Sequence, residues 1–188
     1  RLVDSLLIVF CVSRPRRFGK SMAVKMLAAY YDRTCDSHPM FNDLEIAGTE
    51  DYEKRINQSN VICLDISWFR VNAGSAGQVV PMIQESVIRE LREAYSECIN
   101  PEEKSLPMAL AEVNEKTGER FVIIIDEWDC LFREDKMDKE SQEAYIEFLR
   151  GLFKGGPAQR FISLAYLTGI LPIKKYGTQS ALNHRYYL

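Results

Sequence analysis

The sequence lacks the residues that build metal or disulfide frameworks. It has only two histidines in 188 residues, and its five cysteines include no pair at C-x-x-C spacing. Because structural zinc sites need clustered cysteine and histidine, zinc is not expected. Cys11, Cys63 and Cys130 lie in or beside apolar runs, where cysteine usually behaves as a small buried hydrophobe. This cysteine usage is typical of a reducing, cytoplasmic compartment.

Long apolar runs and a charge excess are also missing. No apolar stretch is long enough to cross a bilayer, so no membrane association is expected. Residues 1–8 include an early acid and no small-residue cleavage site, which argues against a signal peptide. The 24 basic and 27 acidic residues give a net charge of -3. Such a balance provides no overall attraction to nucleic acid, so contact with it would need a local basic patch.

What remains is the composition of an ordinary globular domain. Hydrophobic residues make up 46% of the chain and charged residues 27%. A chain of this length can bury a substantial core. The sequence predicts one domain over residues 1–188, without repeats or an internal linker. Because the chain does not begin with Met, it is expected to be a fragment of a longer protein.

Short apolar runs alternate with helical patterns along the chain. Nearly continuous apolar runs, typical of strands buried on both faces of a parallel sheet, occur at residues 6–12, 61–67, 121–125 and 161–167. Helical spacing is found at residues 20–31, 78–98, 105–117 and 139–154, with Gly118 as a C-terminal cap. Residues 70–78 are predicted to form a mobile loop. The alternation predicts an α/β fold, a three-layer sandwich around a mainly parallel sheet.

A candidate phosphate-binding loop reads Arg-Pro-Arg-Arg-Phe-Gly-Lys-Ser at residues 14–21, between the first strand and the first helix. A strand–loop–helix junction supplies backbone N–H donors and a helix dipole to an anion. Lys20 can reach the β- and γ-phosphates, and the Ser21 hydroxyl can ligate Mg²⁺. The candidate nucleotide-binding residues are Arg17, Phe18, Gly19, Lys20, Ser21 and Asp126.

The loop departs from the pattern G-x-x-x-x-G-K-[ST]. Arg14 occupies the first glycine position, and Pro15 removes one N–H donor. Arg16 and Arg17 are candidates to add compensating charge. The alternative interpretation is a basic surface loop before an ordinary helix, but the flanking strand and helix favour phosphate binding.

A candidate metal and water site follows the third apolar run, which ends in Asp126 and Glu127. In a parallel sheet, ligands bind at the carboxyl ends of the strands. Asp126 can hold Mg²⁺ together with Ser21, and Glu127 can polarise the attacking water. The alternative is that these acids only mark the end of a buried strand. The two motifs are expected in one cleft, on strands that are adjacent or one strand apart.

Thr168 follows the fourth apolar run. Its hydroxyl is a candidate to contact the γ-phosphate or the lytic water, so it joins Glu127 and Lys20 as a candidate catalytic residue. Satisfying local backbone groups is an equally good explanation.

Together these residues resemble the bacterial AAA-ATPase-like proteins that carry an R-P-R-R-F-G-K-S loop. The resemblance rests on residues 14–21, on I-I-D-E-W-D at residues 124–129, and on L-T-G-I-L-P-I-K-K-Y at 167–176 with S-A-L-N at 180–183. It implies that Lys20 and Ser21 form the Walker A pair, Asp126 and Glu127 the Walker B pair, and Thr168 a sensor-like position. Similar proteins commonly continue into a C-terminal PD-(D/E)xK nuclease-like domain, and nucleic acid is expected only through that domain.

Two departures from the family pattern concern the chain ends. The opening resembles the family's V-D-K-T sequence without its lysine and lies unusually close to the loop, as expected if a segment is missing near residues 8–9. The chain also ends soon after Asn183, so truncation before the last strand of the core is expected.

The sequence therefore predicts an ATP-binding P-loop domain that hydrolyses ATP with Mg²⁺ and is coupled to a partner domain or complex. An alternative is a nucleotide-responsive switch with little or no hydrolysis. A third, weaker hypothesis is a nucleic-acid module using Arg14, Arg16 and Arg17. The source of an arginine finger and the oligomeric state stay open.

Overall fold

The computed structural model describes residues 9–133 and 138–171. Four strands are formed: β1 (Val9–Ser13), β2 (Asn60–Asp65), β3 (Phe121–Asp126) and β4 (Ile162–Gly169). They coincide with the four predicted strands to within a few residues. The predicted strand residues 6–8 lie outside the described part of the chain, as do the chain ends on which the missing segment and last strand were expected.

All four strands are parallel, in the order β1-β4-β3-β2. β4, the last of them in sequence, therefore lies between β1 and β3. The strands that carry the two motifs are one strand apart, as the sequence predicts. Since parallel strands present their carboxyl ends at one edge of the sheet, the ends of β1, β4 and β3 lie side by side.

Eight α-helices are found in the described residues. They are α1 (Lys20–Tyr31), α2 (His38–Phe41), α3 (Tyr52–Arg55), α4 (Ile66–Asn72), α5 (Val79–Ala94), α6 (Leu106–Thr117), α7 (Lys139–Phe153) and α8 (Gly156–Phe161). Gly118 caps α6 in the left-handed conformation (φ 74°), as predicted. Within the same residues, no helix is long and apolar enough to cross a membrane.

The helices cover both faces of the sheet. On one face, Val24 of α1 packs against Val122 and Ile124 of β3. On the other face, Ile123 and Ile125 belong to the main core, which α4 to α8 help to enclose. The alternation along β3 explains why its run is continuously apolar, because both sets of side chains are buried. This is the layered α/β arrangement that the sequence predicts.

The prediction of a loop at residues 70–78 is wrong in part. Residues 66–72 form α4, because the Asp65 carboxylate accepts hydrogen bonds from the Trp68 N–H (3.1 Å) and the Ser67 hydroxyl (2.8 Å). This is an N-terminal cap, which stabilises a helix by about 1 kcal/mol. Cys63 also differs from expectation and is exposed, because β2 is an edge strand of the described sheet.

Candidate functional site

The loop between β1 and α1 has two residues in the left-handed region. Arg17 has a φ of 66° and Gly19 a φ of 74°. Gly19 is the N-terminal cap of α1, so the unpaired N–H groups of the first helical turn face the loop. A Cβ on Gly19 would meet no atom within 4 Å. The backbone angle, and not a lack of space, therefore favours glycine here.

The Lys20 side chain is folded over this loop. Its ammonium donates hydrogen bonds to the carbonyl oxygens of Arg14 (2.9 Å) and Pro15 (2.8 Å). The loop thus holds a positive charge at the N-terminal end of α1, where an anion is favoured by the helix dipole. Because both acceptors are neutral carbonyls, a phosphate group can replace them as a stronger, charged partner.

The acidic motif lies at the end of β3. Asp126 is 6% exposed and accepts hydrogen bonds from the Thr168 hydroxyl and from the Glu127 N–H (3.0 Å). Glu127 leaves the strand with a φ of 52°, an unusual angle for a residue other than glycine. The chain turns sharply at this residue.

One cavity brings the loop and the acidic motif together. It has a volume of about 290 Å³, near the lower end for small-molecule sites. Its lining residues are Arg16, Arg17, Gly19, Lys20, Ser21, Met22 and Glu127. The expected cleft thus contains Lys20 and Glu127, while Asp126 is buried at the strand end directly before Glu127.

The remaining predicted site residues lie outside this lining. Phe18 points its ring to solvent and is 68% exposed. Thr168 is fully buried on β4, where its hydroxyl contacts Asp126. A direct contact of Thr168 with a phosphate or with water stays a prediction, and the observed contact assigns it to the orientation of Asp126.

Two larger cavities lie elsewhere. One, of about 330 Å³, runs along β2 and α5, and the other, of about 540 Å³, lies between α5 and the segment before α6. Neither is lined by a residue of the two motifs. The candidate site is therefore the smaller cavity, chosen because the charged groups of both motifs meet there and not for its size.

The sequence reasoning missed Arg133, which lies beside the site. Its Nη2 atom donates to Glu127 Oε2 at 2.6 Å, and its Nε atom is 3.5 Å from Asp129 Oδ1. Nothing in the local pattern marks this arginine, because the turn after β3 brings it back to Glu127. Arg133 therefore contacts the residue that the sequence predicts to polarise water.

Asp129 belongs to the I-I-D-E-W-D motif, and the sequence predicts no role for it. It is fully buried, and its Oδ2 atom accepts hydrogen bonds from the N–H groups of Ile170 (2.9 Å) and Leu171 (2.7 Å). It therefore fixes the chain just after β4.

Trp128 and Gly169 also hold the segment after β3 against the end of β4. The backbone N–H of Trp128 donates a hydrogen bond to the backbone carbonyl of Thr168 at 2.9 Å. A Cβ on Gly169 would lie 2.6 Å from Trp128 Nε1, too close for any side chain. Glycine is required at position 169 because the buried indole is so close. The W-D pair (Trp128 and Asp129) and the T-G pair (Thr168 and Gly169) therefore form one packed unit.

Comparison with known proteins agrees with this geometry. A family model described as "Predicted AAA-ATPase" (AAA-ATPase_like) matches residues 1–178. The chain belongs to this family. Membership in the predicted AAA-ATPase family supports a P-loop nucleotide-binding domain, consistent with the parallel sheet and the strand–loop–helix junction. Searches of curated proteins and of solved structures gave no significant match.

The residues in and beside the cavity carry the charges and oxygen ligands that were predicted from the sequence. Lys20, Arg16 and Arg17 supply cations beside the α1 N-terminus, as a polyphosphate requires. Ser21 and Asp126 offer the oxygen ligands that Mg²⁺ prefers.

Proposed function

We propose that this predicted AAA-ATPase domain binds ATP with Mg²⁺ and hydrolyses it. The observation that carries the proposal is the shared cavity, in which Lys20 and Ser21 at the start of α1 face the same space as Glu127 at the end of β3. A basic loop alone, or an acid at the end of a strand alone, would not require these groups to share a cavity. It needs both motifs at the same edge of the sheet.

Phosphate binding rests on the loop and α1. The free N–H groups at the start of α1 and the Lys20 ammonium would hold the β- and γ-phosphates. Arg16 and Arg17 line the cavity and compensate for the N–H donor that Pro15 lacks.

Ser21 and Asp126 would hold Mg²⁺, which when bound neutralises charge on the phosphate oxygens. Asp126 is already oriented by the Thr168 hydroxyl. Such a fixed carboxylate needs little rearrangement on metal binding.

Glu127 is the residue proposed to activate water. Its carboxylate lines the cavity, one residue beyond the proposed metal ligand. A carboxylate so placed can accept a proton from water as the water attacks the γ-phosphorus, whose bond to the bridging oxygen breaks so that ADP leaves. Lys20 would counter the negative charge that develops on the phosphate oxygens.

A nucleotide-responsive switch with little hydrolysis is the second candidate. The Glu127 carboxylate is engaged by Arg133 at 2.6 Å. A carboxylate oxygen held by Arg133 is less available to a water molecule, so this contact favours slow turnover.

We also propose a partner domain and a cellular location for this domain. Coupling of nucleotide state to a partner domain, a nuclease-like domain by family resemblance, would explain an ATPase domain of this kind. Any nucleic-acid contact is assigned to that domain. A cytoplasmic location is proposed from the five cysteines, which are all free thiols.

The experiment compares wild type, Glu127→Gln and Asp126→Asn by ATP titration and phosphate release, with and without Mg²⁺. Glu127→Gln should keep ATP binding and lose turnover by roughly 10²- to 10⁴-fold. Asp126→Asn should weaken Mg²⁺-dependent binding as well, because a neutral amide is a poorer ligand for this cation.

The outcomes separate the two candidates. Wild-type binding with no more phosphate release than Glu127→Gln would refute hydrolysis and support the switch. No ATP binding by wild type, with or without Mg²⁺, would refute both.

A further inference from the structure

The Glu127 carboxylate is held from one side by a partly buried cation. Arg133 Nη2 donates to it at 2.6 Å, and the Arg133 side chain is only 15% exposed. Most surface ion pairs contribute little, because water screens them and long side chains lose entropy. Arg133 is largely removed from water, so its pair with Glu127 is screened less than a pair on the surface.

Glu127 needs such a restraint. Its φ of 52° places the backbone in a region that residues other than glycine rarely occupy, at a cost of about 1–3 kcal/mol. The side chain projects from this strained turn into the cavity beside Lys20 and Ser21. A carboxylate that activates water works only within a narrow range of positions.

The restraint extends to the end of β4. Arg133 Nε is 3.5 Å from Asp129 Oδ1, and Asp129 Oδ2 accepts the N–H groups of Ile170 and Leu171. Asp129 is fully buried and cannot easily move. Arg133 therefore spans two acids, of which one faces the cavity and the other is anchored to the chain after β4.

We propose that Arg133 is a positioning residue, which holds Glu127 in the geometry for water activation by tying it to the anchored Asp129. This inference rests on the proposed hydrolysis. Arg133 does not line the cavity and would act only through Glu127.

The proposal predicts a selective kinetic effect. Arg133→Gln should lower kcat by roughly 10- to 100-fold, the range for residues that orient a catalytic group. ATP affinity and KM should change by less than about twofold, the margin for independent sites. Arg133→Lys keeps the charge but not the planar fork, so it should recover part of the lost kcat.

A double-mutant cycle tests the route through Glu127. Turnover is measured for wild type, Arg133→Gln, Glu127→Gln and the double variant, and folding is checked by thermal unfolding of each. In the Glu127→Gln background, Arg133→Gln should change kcat by no more than about twofold. The matched control is Arg33→Gln, which breaks an Arg–Glu pair with Glu119 (2.9 Å) outside the site and should leave kcat unchanged.

The results distinguish this inference from the function itself. If wild type turns over ATP and Glu127→Gln does not, hydrolysis stands. An additive effect of Arg133→Gln, a matching rise in KM, or an increased kcat would then overturn the positioning role alone. An increase would mean that Arg133 restrains Glu127 from acting. Should Arg133→Gln fail to fold, Arg133→Lys in the same cycle gives the test. Absence of wild-type turnover overturns both proposals.

Discussion

The Thr168 hydroxyl on β4 donates a hydrogen bond to the Asp126 carboxylate at the end of neighbouring β3. Both side chains are buried, so the bond is shielded from water. Hydrogen bonds to charged groups contribute about 1.5–3 kcal/mol, and a buried carboxylate that loses its donor is costly. The contact ties the fold's stability to the orientation of the proposed metal ligand.

Thr168→Val should therefore lower the free energy of unfolding by about 1.5–3 kcal/mol, because the shape is kept and the donor is lost. It should also weaken Mg²⁺-dependent ATP binding. Urea unfolding and calorimetric titration measure the two effects. Thr168→Ser, which retains the hydroxyl, is the control and should recover most of both. If Thr168→Val and Thr168→Ser show the same stability and the same ATP binding, the hydroxyl does not orient Asp126.

Lys20→Ala should weaken ATP binding by roughly 10- to 100-fold, the equivalent of one charge-assisted hydrogen bond. In the proposed site, Lys20 is the cation that would contact the β- and γ-phosphates. Lys25→Ala, an exposed lysine later in the same helix, serves as the control. Equal affinity of wild type and Lys20→Ala in calorimetry would show that the arginines of the loop bind the phosphates without it.

Gly169→Ala should destabilise the fold by about 1–3 kcal/mol, since the new methyl group would overlap the buried Trp128 indole and Asp129 carboxylate. Gly48→Ala is matched to it, because a Cβ there meets no atom within 4 Å, and should change the free energy of unfolding by less than about 0.5 kcal/mol. Thermal or urea unfolding of both variants tests the difference. A stable Gly169→Ala protein would contradict the packing of the W-D and T-G pairs.

The Cys63 thiol reports on the charge of Asp126. The residue is exposed, yet displacement of water from around its sulfur raises the pKa of the thiol, and the negative charges of Asp126 and Asp65 raise it further. A higher pKa leaves less of the reactive thiolate at neutral pH. Asp126→Asn removes one of those charges, so it should lower the pKa and speed maleimide labelling of Cys63.

Peptide mass spectrometry over time measures the labelling of each cysteine. Exposed Cys35 is the internal control, and its rate should be the same in both proteins. If Asp126→Asn leaves the Cys63 rate unchanged, the Asp126 charge does not contribute to the raised pKa of that thiol.

The strands and long helices could be predicted because their signals are local. The bounds of α1, Lys20–Tyr31, match the predicted helix, and β3 was recognisable from its run of apolar residues. The two motifs were also visible, since each follows a strand. Their meeting in one cleft was predicted from the rule that ligands bind at the carboxyl ends of parallel strands, but no local pattern encodes the strand order itself.

What the sequence did not predict are contacts between distant or folded-back segments. Asp129 binds the backbone of Ile170 and Leu171 about forty residues later, and Arg133 meets Glu127 only because the chain turns between them. The capped helix α4 was missed for a different reason. Its local signal, Asp65 before an apolar stretch, was present but was outweighed by the glycines that follow.

The position of β4 has a consequence for how the protein is made. Among the described strands, β1 pairs only with β4, so during synthesis it has no partner until residues 162–169 have been made. The phosphate loop and the acidic motif therefore cannot be aligned while the nascent chain is still growing through α5, α6 and α7. Such non-local pairing slows folding and leaves strand edges open meanwhile. Among the described strands, β2 and β3 can therefore pair first, and β1 can join the sheet only after β4 has been added.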